Sequence, residues 1–189
     1  MRGARHRIPR LGIFTVTGFV LLVMSALPAA AAPVPPDEYA DAACSDVVDW
    51  ADGLNAASQD FDAADTPSEA ADALEGAVDG TTTLIKQLRK AGTPDVDGGK
   101  ASARAFIAPF KDGRKLLAQA ADAAADLPDG DGFDDAKTEI DESLDEAFTA
   151  LGPDIDTVQA DADAELQEAL EADSSCAEVF GNEAASDEP

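Results

Sequence analysis

Apolar residues recur along this chain at alternating spacings of four and three, which is the repeat of one face of an α-helix. In the stretch after residue 36 the recurring positions are Ala40, Cys44, Val47, Ala51, Leu54, Ala57 and Phe61. Aspartates lie between them, at Asp46, Asp49, Asp52 and Asp60. This pattern predicts an amphipathic helix with a narrow buried stripe, and similar patterns further along predict an all-α fold.

The amino terminus has the order of a secretory signal peptide. Four arginines and no acids in the first ten residues precede the apolar run LGIFTVTGFVLLVMSAL and then PAAAAP. A positive region, an apolar region and a small-residue site in this order are typical of an export signal that is removed. Ala29 and Ala31 satisfy the small-residue rule, so we expect cleavage after Ala31 and a secreted, extracellular protein. An uncleaved anchor is less favoured, because the 17-residue run is at the short limit for spanning a bilayer.

Removal of this leader would make an already anionic chain, with a net charge of −26, more negative still. Four of the 13 basic residues lie in the leader, which leaves nine against all 39 acids, a net charge of −30 over 158 residues. A field of this sign repels nucleic-acid phosphates and anionic lipid surfaces, so we expect no nucleic-acid partner and no membrane insertion after cleavage. Leu, Ile, Val and Phe supply only 28 of the 158 residues, a composition that makes disorder the alternative. The helical periodicity favours a folded chain with alanine in its core.

Turn and capping residues mark the boundaries of the predicted helices. The first helix covers about 37–61, and TPSE then combines a Thr66 hydroxyl cap, a proline at the first helical position and Glu69 in a capping box. The second helix ends at KAGTP, and the third covers about 100–126, with Pro109 expected to bend it. The predicted division of the chain is a signal peptide over 1–31, a Pro-rich spacer over 32–36, a single helical bundle domain over 37–180 and a disordered acidic tail over 181–189.

The number of helices depends on how GPD, at Gly152 and Pro153, is interpreted. As a kink, it leaves an up-and-down antiparallel bundle of four long helices with the last one kinked. As a turn, it gives the alternative of five helices. The apolar rhythm continues across GPD, which favours four. In such a bundle, only an even number of helices brings the start of the first and the end of the last to the same end.

Cys44 and Cys176 are the only two cysteines. Two cysteines in an exported chain most often form one disulfide, so we predict a Cys44–Cys176 bridge that closes the bundle. A bridge requires the two Cα atoms to lie within about 7 Å, and therefore at the same end of the bundle. An intermolecular pair is the alternative. A catalytic redox pair is disfavoured, because the sequence has no C-x-x-C and no nearby base to stabilise a thiolate.

Most catalytic residue types are missing. The single histidine, His6, is in the leader, so the mature chain lacks Ser-His-acid and Cys-His catalysis and the usual zinc ligand sets. The acidic stretch DLPDGDGFDDAKTE fails as an EF-hand: with Gly132 at the sixth position, Leu127 and Thr138 occupy the first and twelfth, where acids are required. An acidic turn is favoured over weak cation binding. We predict no catalytic residues, no metal site and no cofactor, with a carboxylate-dependent hydrolase as the less favoured alternative.

Eight of the nine basic residues after residue 31 lie in one interval. From Gly80 to Lys115 the sequence has eight bases and three acids, whereas acids dominate on both sides. The residues that flank the loop between the second and third helices form a candidate basic docking pole: Lys86, Arg89, Lys90, Lys100 and Arg104. The alternative is that these cations only neutralise helix carboxyl ends and the acidic faces of neighbouring helices.

The layout of an export signal, an Ala- and Asp-rich helical body, AAC at its start and SSC near its end resembles uncharacterised small secreted proteins of high-GC Gram-positive bacteria. This resemblance implies a small extracellular or envelope protein and assigns no residue beyond the cysteines. The sequence thus favours a secreted, non-enzymatic acidic helical protein that acts by protein interaction or envelope association. The alternative is an extracellular module that binds a small ligand or a cation.

Overall fold

Helices make up most of the chain in a computed structural model, which describes residues 33–130, 132–160 and 162–179. Four of them are long: α1 (Pro36–Ala63), α2 (Pro67–Ala91), α3 (Gly99–Ala125) and α4 (Phe133–Ala160). Two short helices follow, α5 (Ala164–Ala172) and α6 (Ser174–Val179). The all-α prediction with four long helices is therefore confirmed. The predicted signal peptide, its cleavage site after Ala31 and the tail over 181–189 lie outside the described residues.

Local side-chain chemistry explains where α2 begins and ends. The Thr66 hydroxyl accepts a hydrogen bond from the Glu69 backbone N–H at 3.3 Å, and the Glu69 carboxylate accepts from the Asp65 backbone N–H at 3.1 Å. These bonds satisfy amide groups that the first turn of a helix leaves unpaired. At the other end, Gly92 follows the last helical residue with a φ of 101°, in a region that favours glycine.

Helices adjacent in sequence pack side by side. α2 lies against both α1 and α3, α4 packs on α3, and the short helices α5 and α6 return to pack on α1. α4 remains helical through Gly152 and Pro153, as the four-helix alternative requires. The chain leaves the helix after Ala160, and Asp163 then caps α5 by accepting a hydrogen bond from the Glu165 backbone N–H at 3.0 Å.

The predicted disulfide between Cys44 and Cys176 is present. The two Cα atoms lie 4.9 Å apart, and both cysteines are fully buried. The bridge joins α1 to α6, at the same end of the bundle as the loop between α2 and α3. That placement agrees with the even number of long helices.

The core consists of two clusters, one at each end of the bundle. The disulfide-end cluster is built from α1, α2, α3, α5 and α6, and its larger members are Tyr39, Val47, Leu84, Ile85, Leu88, Phe106, Ile107, Phe110, Leu166 and Leu170. The far-end cluster is built from α1, α2, α3 and α4 around Phe61, Leu74, Leu117 and Phe133. Many positions in both clusters are alanines, as the composition led us to expect.

The segment predicted as a spacer is hydrogen-bonded to the bundle at Pro33 and Val34. These residues form the short strand β1, which pairs in parallel with β2 (Thr93–Pro94), and the Asp95 backbone N–H donates to the Val34 carbonyl at 2.8 Å. Gly99 lies directly under this loop, because a Cβ atom at that position would collide with the Pro94 carbonyl oxygen. The described helices include none that is long and apolar enough to cross a membrane.

Candidate functional site

A groove between α2 and α3 gathers basic side chains. It has a volume of about 400 Å³, and five of its lining residues are cationic: Lys86, Arg89, Lys111, Arg114 and Lys115. Thr82, Ile85 and Ala108 also line it, and Asp112 is its one acidic residue. Ile85 is buried, whereas Lys86 and Arg89 are exposed and Lys111 and Arg114 are half-buried.

Helical spacing explains this concentration of charge. Lys86 and Arg89 are three residues apart on α2, and Lys111 is followed by Arg114 and Lys115 after three and four residues on α3. Residues at these spacings share one helix face. Because α2 and α3 pack side by side, the two faces form opposite walls of a single groove.

Little of this positive charge is neutralised locally. The Lys115 Nζ lies 2.6 Å from the Asp112 Oδ1 in an exposed pair, and such pairs stabilise a fold only weakly. That pair is the only salt bridge among the described residues. Lys86, Arg89, Lys111 and Arg114 therefore have no carboxylate partner among the side chains that the structure describes, which do not include those of 150–160.

The structure divides the basic pole predicted from sequence. Lys86 and Arg89 line the groove, whereas Lys90, Lys100 and Arg104 are exposed and do not line it. Lys90 is near Asp46 on α1: burial raises the pKa of Asp46, repulsion by Asp49 adds to the rise, and the charge of Lys90 opposes it. Lys90 thus acts in part as a counter-ion between helices, the structural role that the sequence offered as the alternative.

Sequence reasoning left Lys111, Arg114 and Lys115 out of the candidate pole. They belong to the basic interval of the sequence, but they are distant along the chain from the loop on which the pole was centred. Their spacing on one helix face was a usable signal. What the sequence lacked was the rotation of α3 about its axis, which directs that face towards Lys86 and Arg89.

A second concave surface is apolar and lies at the far end of the bundle. Its volume is about 280 Å³, and side chains from four helices line it, including Leu54 and Phe61 of α1, Leu74 of α2, Leu117 of α3, and Leu144 and Phe148 of α4. Leu54, Leu144 and Phe148 are only half-buried. Asn55, Ser58, Asp141 and Asp145 also line it. We refer to it as the apolar cavity.

Trp50 of α1 links three helices. Its indole N–H donates to the Thr81 hydroxyl at 2.9 Å, and its ring meets the Phe110 ring edge-on, with centroids 5.3 Å apart. The Thr81 hydroxyl in turn donates to the Ala77 carbonyl at 2.8 Å. All of these polar groups are satisfied within the fold, so they indicate a structural role.

None of the carboxylate side chains that the structure describes is fully buried, although Asp46 is half-buried. Among the side chains that the structure describes, which exclude those of 150–160, the buried residues include no Asp or Glu, so these side chains form no buried acid pair of the kind that glycoside hydrolysis uses. The described residues contain no group of three or more Cys, Asp or Glu side chains placed to hold a metal ion. The cationic groove and the apolar cavity are the surfaces with the clearest binding chemistry.

Comparison with known proteins adds no further constraint: no protein-family model matches the chain, and neither a curated protein nor a solved structure is significantly similar to it.

Proposed function

We propose that this chain is an exported, non-enzymatic helical protein that associates with an anionic component of the cell envelope through the groove between α2 and α3. One observation supports the proposal above all others. Of the nine basic residues that follow residue 31, five line this groove, although the 39 acids of the chain offer partners almost everywhere else.

A purely structural role for these cations would place them beside acids or backbone carbonyls. Lys137 does this: its Nζ donates to the carbonyls of Asp62 and Ala64, at 2.8 and 2.9 Å, where α1 ends. The groove cations differ, because four of them have no such partner in the described structure. Lys111 and Arg114 lie in the middle of α3, too far from its carboxyl end to interact with the helix dipole.

Retention on isolated envelope fractions tests the proposal. The groove variant Lys86→Gln/Lys111→Gln removes one lysine from each wall, and the control Lys90→Gln/Lys100→Gln removes one lysine from each helix outside the groove. The two variants change the net charge equally. We expect retention to fall only in the groove variant. Equal retention of both variants and the native protein would contradict the proposal. Groove-dependent capture of an acidic protein, without retention on the envelope, would instead identify an acidic protein as the partner.

The apolar cavity favours a second candidate function, the binding of a small apolar ligand. Half-buried Leu144 and Phe148 in a chain with few large apolar residues are an unusual exposure of scarce hydrophobic surface. The substitution Ala57→Leu would fill the cavity. A fluorescent apolar probe should bind the native protein and lose affinity in this variant, while absence of saturable binding to the native protein would remove this candidate.

A further inference from the structure

The size of the groove limits the anion that it can bind. Its lining runs from Thr82 to Arg89 on α2 and from Ala108 to Lys115 on α3, seven residue steps on each helix and so about 10 Å in length at the helical rise. The next charged residues in the direction away from the α2–α3 loop are acidic, Asp79 on α2 and Asp122 on α3. An anion that extends beyond the groove in this direction passes these carboxylates. On the loop side the next charged residues are the cations Lys90 and Arg104, and the first acids there are Asp95 and Asp97 in the loop.

The negative charge of the rest of the protein also limits the size of the anion that the groove can bind. Fields are screened over about 8 Å at physiological ionic strength, so an anion in the groove interacts mainly with the nearby cations. Any part of a long polyanion outside the groove would face a chain whose net charge is −26 even with the leader included. A compact anion is therefore favoured over an extended one.

The charge that each ligand can bring into the groove favours phosphate over an acidic peptide. An extended peptide advances about 3.3 Å per residue, so about three residues fit, and each acidic side chain among them brings one negative charge. A terminal phosphate group carries more charge than a carboxylate, since it bears about −1.5 to −2 at neutral pH. Arg89 and Arg114, one on each wall, offer forked donors that bind the oxygens of phosphate or carboxylate groups in pairs.

We infer that the groove recognises a diphosphate-type group, two closely spaced phosphates, exposed on the envelope component; this inference rests on the proposed function. Lys86, Arg89, Lys111 and Arg114 supply the contacts. Lys115 adds a fifth cation, whose charge Asp112 offsets in the unliganded protein.

Calorimetric titration with inorganic pyrophosphate at constant ionic strength tests this inference. We expect one saturable site, with affinity weakened about tenfold or more in Lys86→Gln/Lys111→Gln and unchanged in the control Lys90→Gln/Lys100→Gln. Thermal melts of the three proteins verify that each variant is folded. Equal affinity in all three proteins, or tighter binding of a hexaglutamate peptide than of pyrophosphate, would overturn the inference.

The titration and the retention assay fail independently. Groove-dependent retention without pyrophosphate binding would leave envelope association in place and refute the diphosphate assignment. Groove-dependent binding of pyrophosphate without retention would refute envelope association and identify a free compact phosphate as the ligand. Competition by pyrophosphate against envelope retention would support both at once.

Discussion

The two ends of the bundle are closed by different means. At the disulfide end, short helices α5 and α6 pack on α1, and the Cys44–Cys176 bond fixes them there. At the far end, α4 packs mainly on α3, and the apolar cavity remains open between α4 and α1. The disulfide end combines a covalent bond with most of the large buried apolar residues, whereas the far end has fewer of them and is held by non-covalent contacts.

Polar contacts at the far end compensate in part for the sparse packing between α4 and α1. Lys137 of α4 donates to two carbonyls at the end of α1 and lies 5.4 Å from the centre of the Phe133 ring. This single lysine therefore links α4 to α1 where packing between the two helices is sparse. The contrast between a covalently closed end and an end held by packing leads to four predictions, in order of decreasing effect.

The double substitution Cys44→Ala/Cys176→Ala should have the largest effect. A bridge between residues 132 positions apart removes about 5 kcal/mol of unfolded-chain entropy in the chain-entropy treatment. Urea denaturation of the native and substituted proteins measures the loss. Hydrogen exchange should show lost protection first around Cys44 and α6, with the amides around Leu74 and Leu117 protected longer. Equal loss at both ends would contradict the contrast between them.

Truncation of a core leucine should lower the free energy of unfolding less at the far end than at the disulfide end. Leu88 and Leu117 are both almost completely buried, at 0% and 1% exposure, and Leu→Ala in such sites costs about 2 to 5 kcal/mol. Because Leu117 borders the apolar cavity, half-buried neighbours can move into the space that Leu117→Ala creates. We expect Leu88→Ala to be the more destabilising by about 1 kcal/mol in urea denaturation; the reverse order would show that the far end is the more tightly packed.

Alkaline pH should weaken the disulfide end through Tyr39. Burial raises the pKa of Tyr39 to about 12, and its hydroxyl has no hydrogen-bond partner. This pKa exceeds the ordinary value of 10.0, so the contribution of neutral Tyr39 to the free energy of unfolding is complete below pH 10. It is lost as the pH rises towards 12, by roughly 3 kcal/mol at most.

The chain contains one tyrosine, so tyrosinate absorbance reports this ionisation directly. Tyr39→Phe removes the unpaired hydroxyl and should be as stable as the native protein or slightly more so at neutral pH, without the loss of stability that Tyr39 ionisation causes between pH 10 and 12. Ionisation of Tyr39 at its ordinary pKa in the folded protein would contradict the predicted burial.

Substitution of two glycines in α2 should have the smallest effect, and it should be stabilising. A Cβ atom at Gly76 or Gly80 would meet no atom within 4 Å, so each change to alanine should stabilise the helix by about 0.5 to 1 kcal/mol. Gly99→Ala is the matched contrast, because its Cβ would collide with the Pro94 carbonyl. The melting temperature should therefore rise for Gly76→Ala and Gly80→Ala and fall for Gly99→Ala. A lower melting temperature for Gly76→Ala or Gly80→Ala would indicate that the native protein needs the open space there.

Much of the fold could be predicted from local chemistry. The Thr66 capping box, the stop at Gly92 and the four-three spacing around Cys44 depend on residues close in sequence, and each formed where the sequence placed it. The break after Ala160 was not predicted, because no glycine or proline marks it and Asp163 functions as a cap only in its actual backbone conformation.

The amino-acid sequence by itself determined the long helical segments and the strong negative charge, since these depend on composition and on neighbours along the chain. It left an intermolecular cysteine pair as an alternative, and the fold places Cys44 and Cys176 together within one chain. Only the tertiary structure decided which cations share a surface. The groove depends on how α2 and α3 are rotated when they pack, and that rotation places Lys111 and Arg114 opposite Lys86 and Arg89 while leaving Lys90 beside Asp46. Packing also decided that the far end keeps an apolar cavity, because α4 lies mainly against α3 and leaves the adjoining surface of α1 only partly covered.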